Sequence, residues 1–443
     1  MAKKGFWNTF RALGAASIPH HKDTAERVTS LMPLPREIVL PMQQHIGATC
    51  EPVVKKGDIV GVGSLIGHTP KALSADIFSG VSGTVVEVRP VFYSTGKTDT
   101  AVVIKSDGQQ TLADTVKPPQ CSNREEFLAA IKRSGLVGLG GAGFPTDIKL
   151  MPPNLDEIDT LLVNGTECEP YLTTDYREIM EHGESVLAGI RTCLKFLGVP
   201  RAILCIEDNK PRAIAHMEKL TAGDPTISVR SLRSQYPQGA ENLLVYNVTG
   251  RTVLRGLRQT DVGVMLFNVT TMSMIGKFFV DGMPLTRRRL TVAGDAIAHP
   301  QNLEVVIGTR IGEIIDFCGL AKEPREIVVG GPMMGNAQID IDYPVVRQNN
   351  SLLVFSRDVP AEDEPTSCIR CGRCTNTCPM HLAPIDIQRA YMLKDIDKLD
   401  YLAADLCMGC GVCSYVCPAK RPLAQTGKLA RDLMRGELAK RRS

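Results

Sequence analysis

The chain has 443 residues, with 51 Lys and Arg against 48 Asp and Glu, a formal net charge of +3. That length exceeds what one ordinary core organises, so three or four domains are expected, and that charge, with no long basic run interleaved with aromatics, argues against nucleic-acid binding. Hydrophobic residues make up 43% and charged residues 22%, as in a folded protein; no apolar run is long enough to cross a bilayer, and 14 cysteines without a secretion signal point to metal rather than disulfides, in a reducing compartment.

The N-terminal stretch MAKKGFWNTFRALGAASIP is basic and lacks the long apolar core of a secretory signal; its composition is compatible with a short amphipathic helix on a membrane surface. Residues 33–108 are rich in valine and glycine, with turn signals KKGD and SGVSG between short strands. The pattern resembles a lipoyl- or biotinyl-carrier barrel-sandwich. Lys71 is the nearest lysine to the carrier position but lacks the acidic or methionine neighbours of those motifs, so a carrier-like fold without its carrier group is expected, used for docking. His20, His21, His45 and His68 lie beside turn residues and read as polar surface, not as ligands or bases.

REEFLAAIKRSG reads as a helix ended by Gly135, and GLVGLGGAGFPTDIK follows. Gly138, Gly140 and Gly143 satisfy G-x-G-x-x-G, but a dinucleotide fold wants a strand before that motif and a helix after it. Here a helix precedes it and Pro145 follows almost at once, so the loop reads as hugging a phosphate or flavin in another setting, with a plain glycine-rich turn as the alternative. TLLVNGTECEPYLTTDYRE predicts a strand over Thr160–Val163 running into an acidic turn. From 183 to 233 helix and strand alternate, as suits a parallel sheet beneath a cleft. PLTRRRLTVAGDAIAHPQNLEVVIGTRIGEIIDFCGL reads as strand, turn, strand, helix; GGPMMGN at 330 reads as a structural turn, and Asp358 to Pro365 as an acidic linker.

Residues 368–379 read CIRCGRCTNTCP and residues 407–418 read CMGCGVCSYVCP. Both have the spacing C-x2-C-x2-C-x3-C-P of bacterial two-cluster ferredoxins, in which the fourth cysteine of each run ligates the other cluster. The expected ligands are therefore Cys368, Cys371, Cys374 and Cys417 for one [4Fe–4S] cluster, and Cys407, Cys410, Cys413 and Cys378 for the second. Three thiolates on one tight loop can each reach an iron of the same cube, with Gly372, Gly409 and Gly411 letting the backbone curl. Zinc would ask only for two C-x2-C pairs. Between the runs, PIDIQRAYMLKDIDKLDYLAA reads as one helix, apolar at Ile385, Ile387, Ala390, Leu393, Ile396 and Leu399, packing between or beside the clusters. The tail, with Lys428, Arg431, Arg435, Lys440, Arg441 and Arg442, reads as a solvated basic helix, with a membrane or partner contact as the alternative. Cys50, Cys121, Cys168, Cys193, Cys205 and Cys318 read as small hydrophobes.

Taken together, GLGGAGFPTDIKL and VNGTECEPYLTTD resemble the FMN-binding subunit of respiratory complex I. They resemble more closely the RnfC family, the C subunits of Rnf complexes, which are ion-translocating ferredoxin:NAD oxidoreductases. PHHKDTA at 19, YPQGAENLL at 236, LFNVTTM at 266 and the double cysteine run extend the resemblance over nearly the whole chain. It implies that Gly138, Gly140, Gly141 and Gly143 line an FMN and nucleotide cleft. Lys149 would reach a phosphate or flavin oxygen, and Asn164 would hydrogen-bond the flavin. Glu167 and Glu169 would lie by the nicotinamide and ribose, as the catalytic pair. Gly239 and Glu241 match a second nucleotide-facing segment, and Asn268 and Thr271 an asparagine-rich turn holding FMN. The sequence departs from the complex I pattern at Leu139, where complex I has arginine, and at Thr270, where it has glutamate.

The expected fold class is multidomain α/β and α+β: an N-terminal segment and barrel-sandwich hybrid over 1–115, a complex-I-like flavin domain over 116–282, a β-grasp domain over 283–357, and a two-cluster ferredoxin-like domain with a basic helix over 358–443. NAD(H) exchanges electrons in pairs and a cluster takes them singly, so a non-covalent FMN is expected between them. The resemblance implies a peripheral, NADH-side subunit on the cytoplasmic face of the cell membrane. Its partners would be the integral membrane and Fe–S subunits of an Rnf complex, with ferredoxin reached indirectly and no nucleic acid. The alternatives are a flavin-dependent reductase of the cobalamin-reductase kind and a non-enzymatic electron-transfer module.

Overall fold

This computed structural model describes residues 15–92, 98–358 and 364–442. The chain forms two compact units: His20–Arg233 with Arg258–Val359, and Met1–Pro19 with Ser234–Leu257 and Pro360–Ser443. The expected amphipathic N-terminal helix, and most of the expected acidic linker, lie outside the described residues.

The first unit begins with the barrel-sandwich. Strands Glu37–Pro41, Thr98–Ser106, Gly83–Phe92 and Ile59–Val60 pair antiparallel in that order, and Glu51–Pro52, Leu65–His68 and Ile77–Phe78 form a second, three-stranded sheet. Burial of Ile38, Leu40, Ile66, Ile77, Val85, Val102 and Ile104 holds the two together. Lys71 is exposed in the loop before Ile77–Phe78. His45 departs from the surface reading: it is only 5% exposed, its Nε2 lies 3.0 Å from the Ala48 carbonyl, and burial lowers its pKa to about 4.

Next comes a four-stranded, all-parallel sheet in the order Ile227–Leu232, Ala202–Glu207, Thr160–Gly165, Val264–Asn268. Its strands Ala202–Glu207, Thr160–Gly165 and Val264–Asn268 are near-continuous apolar runs, as strands covered on both faces require, while the edge strand Ile227–Leu232 exposes Ser228, Arg230 and Ser231. Helices Thr174–Leu197 and Pro211–Thr221 make the crossovers, and Val269–Asp281 follows the last strand. Two of these helices meet at backbone distance. A Cβ on Gly189 would come within 1.8 Å of the Met272 carbonyl oxygen, and one on Gly276 within 2.1 Å of that of Ser185. A six-stranded mixed sheet completes the unit, ordered Ser30–Leu31, Gln301–Val306, Arg287–Ala293, Ser351–Ser356, Pro324–Val329, Asn336–Gln338. Its central strands Arg287–Ala293 and Ser351–Ser356 run parallel between antiparallel neighbours, and helix Ile311–Cys318 packs Ile311, Ile314 and Ile315 into its core. This is the β-grasp arrangement.

The second unit is helical. Residues 384–404 do not form one helix. Pro384–Met392 ends at Leu393, Lys394 takes φ +53°, and the Asp395 side chain caps a new helix, Ile396–Tyr401, by accepting the Lys398 N–H. Leu393 is consequently 79% exposed instead of in the core. The last helix, Leu423–Arg442, is not a solvated tail: Leu423, Ala424, Ala430 and Met434 are buried, the last two in a core with Ile387 and Leu399. Residues 234–257 join this unit through Arg255, whose Nη2 lies 2.5 Å from Asp400 and 2.7 Å from Asp405. Among the described residues, no helix is long and apolar enough to cross a membrane.

Candidate functional site

In the parallel sheet the next two strands in sequence, Ala202–Glu207 and Ile227–Leu232, lie on one side of Thr160–Gly165, while the last, Val264–Asn268, lies on the other. Strand order therefore reverses between these two neighbours, and in open α/β sheets ligands bind in such a crevice, outside the carboxyl ends of the strands. Asn164 and Asn268 face each other in register as the last or near-last residues of the two strands.

The glycine segment closes over this point. The Gly138 N–H donates to Phe144 O (2.7 Å) and the Gly143 N–H to Gly138 O (3.1 Å), so residues 138–144 form a tight loop. It is pinned from below, where the Leu139 N–H donates to Thr271 Oγ1 (3.0 Å) and Arg288 Nη2 donates to Leu139 O (2.5 Å). Leu139 itself is buried, so the position where complex I carries arginine serves here as a packing anchor. Ile46 of the barrel donates its N–H to Gly143 O (3.0 Å), and buried Arg347 donates to Gly135 O (2.9 Å). The barrel thus helps to hold the loop. Gly140, Gly141 and Ala142 are exposed at the tip, and among the described residues their N–H groups meet no acceptor. Gly141 takes φ +116°, which a side chain would strain. Consecutive free amides of this kind form an anion-binding nest. Gly140 lies against the Asn268 side chain, 3.3 Å from an added Cβ. Free amides beside two in-register asparagines fit the phosphate and ring edge of a flavin nucleotide.

Asn268 Oδ1 accepts the Thr270 N–H (2.9 Å) and its Nδ2 donates to Asp175 (2.8 Å); the Thr270 hydroxyl donates to the other Asp175 oxygen (2.7 Å). Burial raises the Asp175 pKa against these hydrogen bonds. Asn164 Oδ1 accepts from the Thr166 N–H and hydroxyl. Lys149 ends the short helix Thr146–Lys149 with its Nζ 5.4 Å from the centre of the Phe267 ring, one residue before Asn268.

The acidic turn after Asn164 is held from two sides. Lys22 Nζ donates to the carbonyls of Glu167 (2.8 Å), Glu169 (2.8 Å) and Leu172 (2.5 Å). Lys210 Nζ donates to Thr166 O (2.6 Å) and to Glu207 (3.1 Å). Glu167 adopts φ +50°, and its buried carboxylate accepts the Asp175 N–H (2.7 Å) at the start of helix Thr174–Leu197. Burial pushes its pKa up to about 7, the Lys22 charge pulls the other way and Asp175 adds to the rise; burial likewise lowers Lys22 to about 8. Glu169 reaches the β-grasp domain, where it accepts the Met333 N–H (3.1 Å) and lies over Gly331, whose Cβ would sit 2.2 Å from the carboxylate. The GGPMMGN turn read as structural is therefore the seat of Glu169.

The second unit gathers the eight cysteines into two cavities. One is lined by Cys378, Cys407, Cys410 and Cys413, with Met380, Leu382, Ile387 and Leu423. The other is lined by Cys368, Cys371, Cys374 and Cys417, with Arg370, Arg373, Arg389 and Arg421. Each takes three thiols from one run and one from the other, and helix Pro384–Met392 lines both. Gly372 (φ +73°), Gly409 (+69°) and Gly411 (+83°) curl the loops. Four thiols around each cavity is the donor set that a cubane cluster takes. Gly239 and Glu241 lie in this unit too, with Glu241 opening helix Glu241–Thr249; the neighbouring Tyr236 donates its hydroxyl to Cys410 O (2.8 Å). The structure thus brings together Gly138, Gly140, Gly141, Gly143, Asn164, Asn268 and Thr271, with Lys149 beside them, and sets Gly239 and Glu241 with the cysteines. The sequence reading missed Lys22, Asp175, Lys210 and Arg288. Lys22 and Asp175 stood inside quoted motifs; nothing local marks Arg288.

Residues 10–109 match the RnfC barrel sandwich hybrid domain, residues 131–277 the Nuo51 FMN-binding domain, and residues 367–420 a 4Fe-4S dicluster domain. A relative in Clostridium ljungdahlii, the C subunit of a proton-translocating ferredoxin:NAD(+) oxidoreductase complex, is 41% identical over 82% of this chain and 80% of its own length. The Na(+)-translocating counterpart of Acetobacterium woodii is 38% identical over 87% of this chain and 88% of its own length. The chain belongs to the RnfC family, the C subunits of ferredoxin:NAD oxidoreductase complexes. It is therefore part of an oxidoreductase, carries an FMN-binding domain and a two-cluster [4Fe–4S] domain, and has other members of the complex as partners. Among solved structures, an NAD+-reducing [NiFe]-hydrogenase shares the fold, with a TM-score of 0.52 at 17% identity over 72% of this chain and 64% of that one.

Proposed function

We propose that this RnfC chain binds FMN and receives NAD(H) at the switch-point crevice and relays electrons through clusters held by Cys368, Cys371, Cys374 and Cys417, and by Cys407, Cys410, Cys413 and Cys378. The flavin, when bound, supplies the exchange between paired and single electrons that neither a nicotinamide nor a cluster provides alone. The observation that carries this reading is the nest of free amides at Gly140–Ala142 beside the in-register pair Asn164 and Asn268.

The protein's own work is placement. The amides of Gly140, Gly141 and Ala142 receive the phosphate, with Lys149 adding positive charge nearby. Asn164 and Asn268 fix the flavin edge, and Asp175, by anchoring Asn268 and Thr270, fixes the asparagine. Glu167 shapes the nicotinamide side by holding the turn, and Glu169 borders it from the β-grasp side. Hydride transfer to a flavin depends mainly on such positioning, so no general base is assigned. Tyr236 steadies the Cys410 backbone. The chain sits peripherally on the cytoplasmic face of the membrane, against integral membrane and Fe–S subunits, with ferredoxin reached through them.

Purified anaerobically and supplied with FMN, the chain should hold one flavin and about eight irons, two cubanes' worth. An Asn268→Ala variant should lose flavin at least about tenfold more readily while keeping its iron. Retention of flavin by that variant at wild-type affinity would remove the crevice from the account.

A further inference from the structure

The two cysteine runs match position for position and differ in charge. Residues 368–374 read CIRCGRC and residues 407–413 read CMGCGVC, so Arg370 stands where the second run has Gly409, and Arg373 where it has Val412. The contrast repeats just past the last cysteine of each run. Arg421 follows Cys417 at the same spacing as Leu382 follows Cys378.

The two cavities keep this difference. Arg370, Arg373 and Arg421, joined by Arg389, line the one held by Cys368, Cys371, Cys374 and Cys417, and Cys371 is exposed there. Asp386, also in that lining, lies 3.6 Å from Arg389. Arg421 donates to neutral acceptors, Gln388 Oε1 (2.7 Å) and Thr366 O (3.0 Å), so its charge is not cancelled. The cavity of Cys378, Cys407, Cys410 and Cys413 has no Lys, Arg, Asp or Glu in its lining among the described residues. Leu382 and Ile387 are buried in its wall, and Cys378 and Cys410 are themselves buried. Two cations stand behind it. The chain of Lys428 lies over Gly409, and Arg431 donates to Cys407 O (3.0 Å) while lying 3.1 Å from Asp432. Neither lines the cavity.

Reduction adds one negative charge to a cluster. Nearby cations and water favour that charge, and an apolar wall disfavours it. At these two cavities charge and exposure act in the same direction.

We propose that Arg370, Arg373 and Arg421 make the cluster of Cys368, Cys371, Cys374 and Cys417 the higher-potential member of the pair, so that an electron entering this unit settles there. The inference rests on the cluster assignment above. The enclosed cluster is the transit point: one electron leaves it, one enters the arginine-rimmed cluster, and no bond or proton changes hands. The equilibrium between them should favour the arginine-rimmed cluster at least about tenfold, about 59 mV for one electron.

Mediated potentiometry of the anaerobic, cluster-loaded chain, with the reduced clusters followed by EPR, tests this. Two waves should appear with that separation. Arg370→Gln with Arg373→Gln, at two exposed positions, should lower the upper wave by about tenfold in its equilibrium constant, with the lower wave and the iron content unchanged. Arg370→Lys with Arg373→Lys, which keeps the charge, should restore the upper wave. Met408→Lys, placing a cation in the enclosed lining at the position matching Ile369, should raise the lower wave alone. Coincident waves overturn the proposal. So does a glutamine variant that moves the lower wave or moves neither. Iron for one cluster only would overturn both this inference and the two-cluster reading beneath it. Failure of NADH to reduce the clusters would count against the proposed function alone, since the mediators deliver electrons without flavin or NADH.

Discussion

Lys22 stands 145 residues before Glu167, yet its ammonium accounts for three carbonyls of the turn that follows Asn164. Hydrogen bonds from a buried charge are worth about 1.5–3 kcal/mol each and cost more when one side is removed. Lys22→Met should therefore release the turn, lower the melting temperature by several degrees, and weaken flavin binding; an unaltered melt and unaltered flavin affinity would show that the turn holds itself. Glu178 makes a sharper case. Burial alone would raise its pKa, but Arg289 and Lys277 outweigh burial and bring it down to about 2. A depressed carboxylate contributes stability above its ordinary pKa of 4.5 and loses it as pH falls toward 2. The contribution is on the order of 3 kcal/mol. Denaturant unfolding between pH 5 and pH 2 should show this loss in the wild type, and Glu178→Gln, less stable at pH 7 because Arg289 is left buried without its charge partner, should lack it.

At the scale of elements, Glu178 and Glu181 also show how separate segments become one site. They lie on helix Thr174–Leu197; Lys277 comes from the helix after the last parallel strand, and Arg289, which reaches both acids, comes from the β-grasp sheet. The two helices touch through Gly189 and Gly276, where no Cβ fits. Gly276→Ala should force them apart and cost about 1–3 kcal/mol, with flavin affinity falling because the same helices carry Asp175 and Thr271. Denaturant unfolding and flavin titration check this: stability and affinity should both fall, and unchanged stability would contradict the close packing. Much of this layer was legible beforehand. The alternation from 183 to 233 gave the strands Ala202–Glu207 and Ile227–Leu232, because apolar runs between turn residues fix local structure. The break at Lys394 was not legible: the apolar positions run on through Leu393, and only the left-handed turn capped by Asp395 divides the helix. The tail misled for a related reason. Its basic residues are conspicuous, while Ala430 and Met434, which bury it, form a sparse apolar stripe.

For the whole molecule, the cysteine pattern carried the most information, since spacing alone sorts eight thiols into two sets of four, and the same sets line the two cavities. The flavin crevice was legible only in part. Asn164, Asn268 and the glycines stand in recognisable motifs, but the residues that fix them come from the first helical turn after the acidic loop, from the β-grasp sheet and from the N-terminal signature. Exchange of one cysteine between the runs makes a further prediction. Cys417→Ser should impair the cluster of Cys368, Cys371 and Cys374, not that of its own run, and Cys378→Ser should do the converse; EPR of the reduced variants checks which signal is lost. Loss of the same-run cluster in both would refute the crossed arrangement.

The central claim is that this one chain turns two-electron traffic into one-electron traffic. Rapid mixing of the cluster-loaded protein with NADH, frozen at intervals and read by EPR, tests it most directly when done with and without FMN. The account predicts that cluster signals grow in only after the flavin band bleaches, and fail to grow in the flavin-free sample until FMN is restored. Cluster reduction by NADH at the same rate in both samples, or none in the flavin-loaded one, would contradict it.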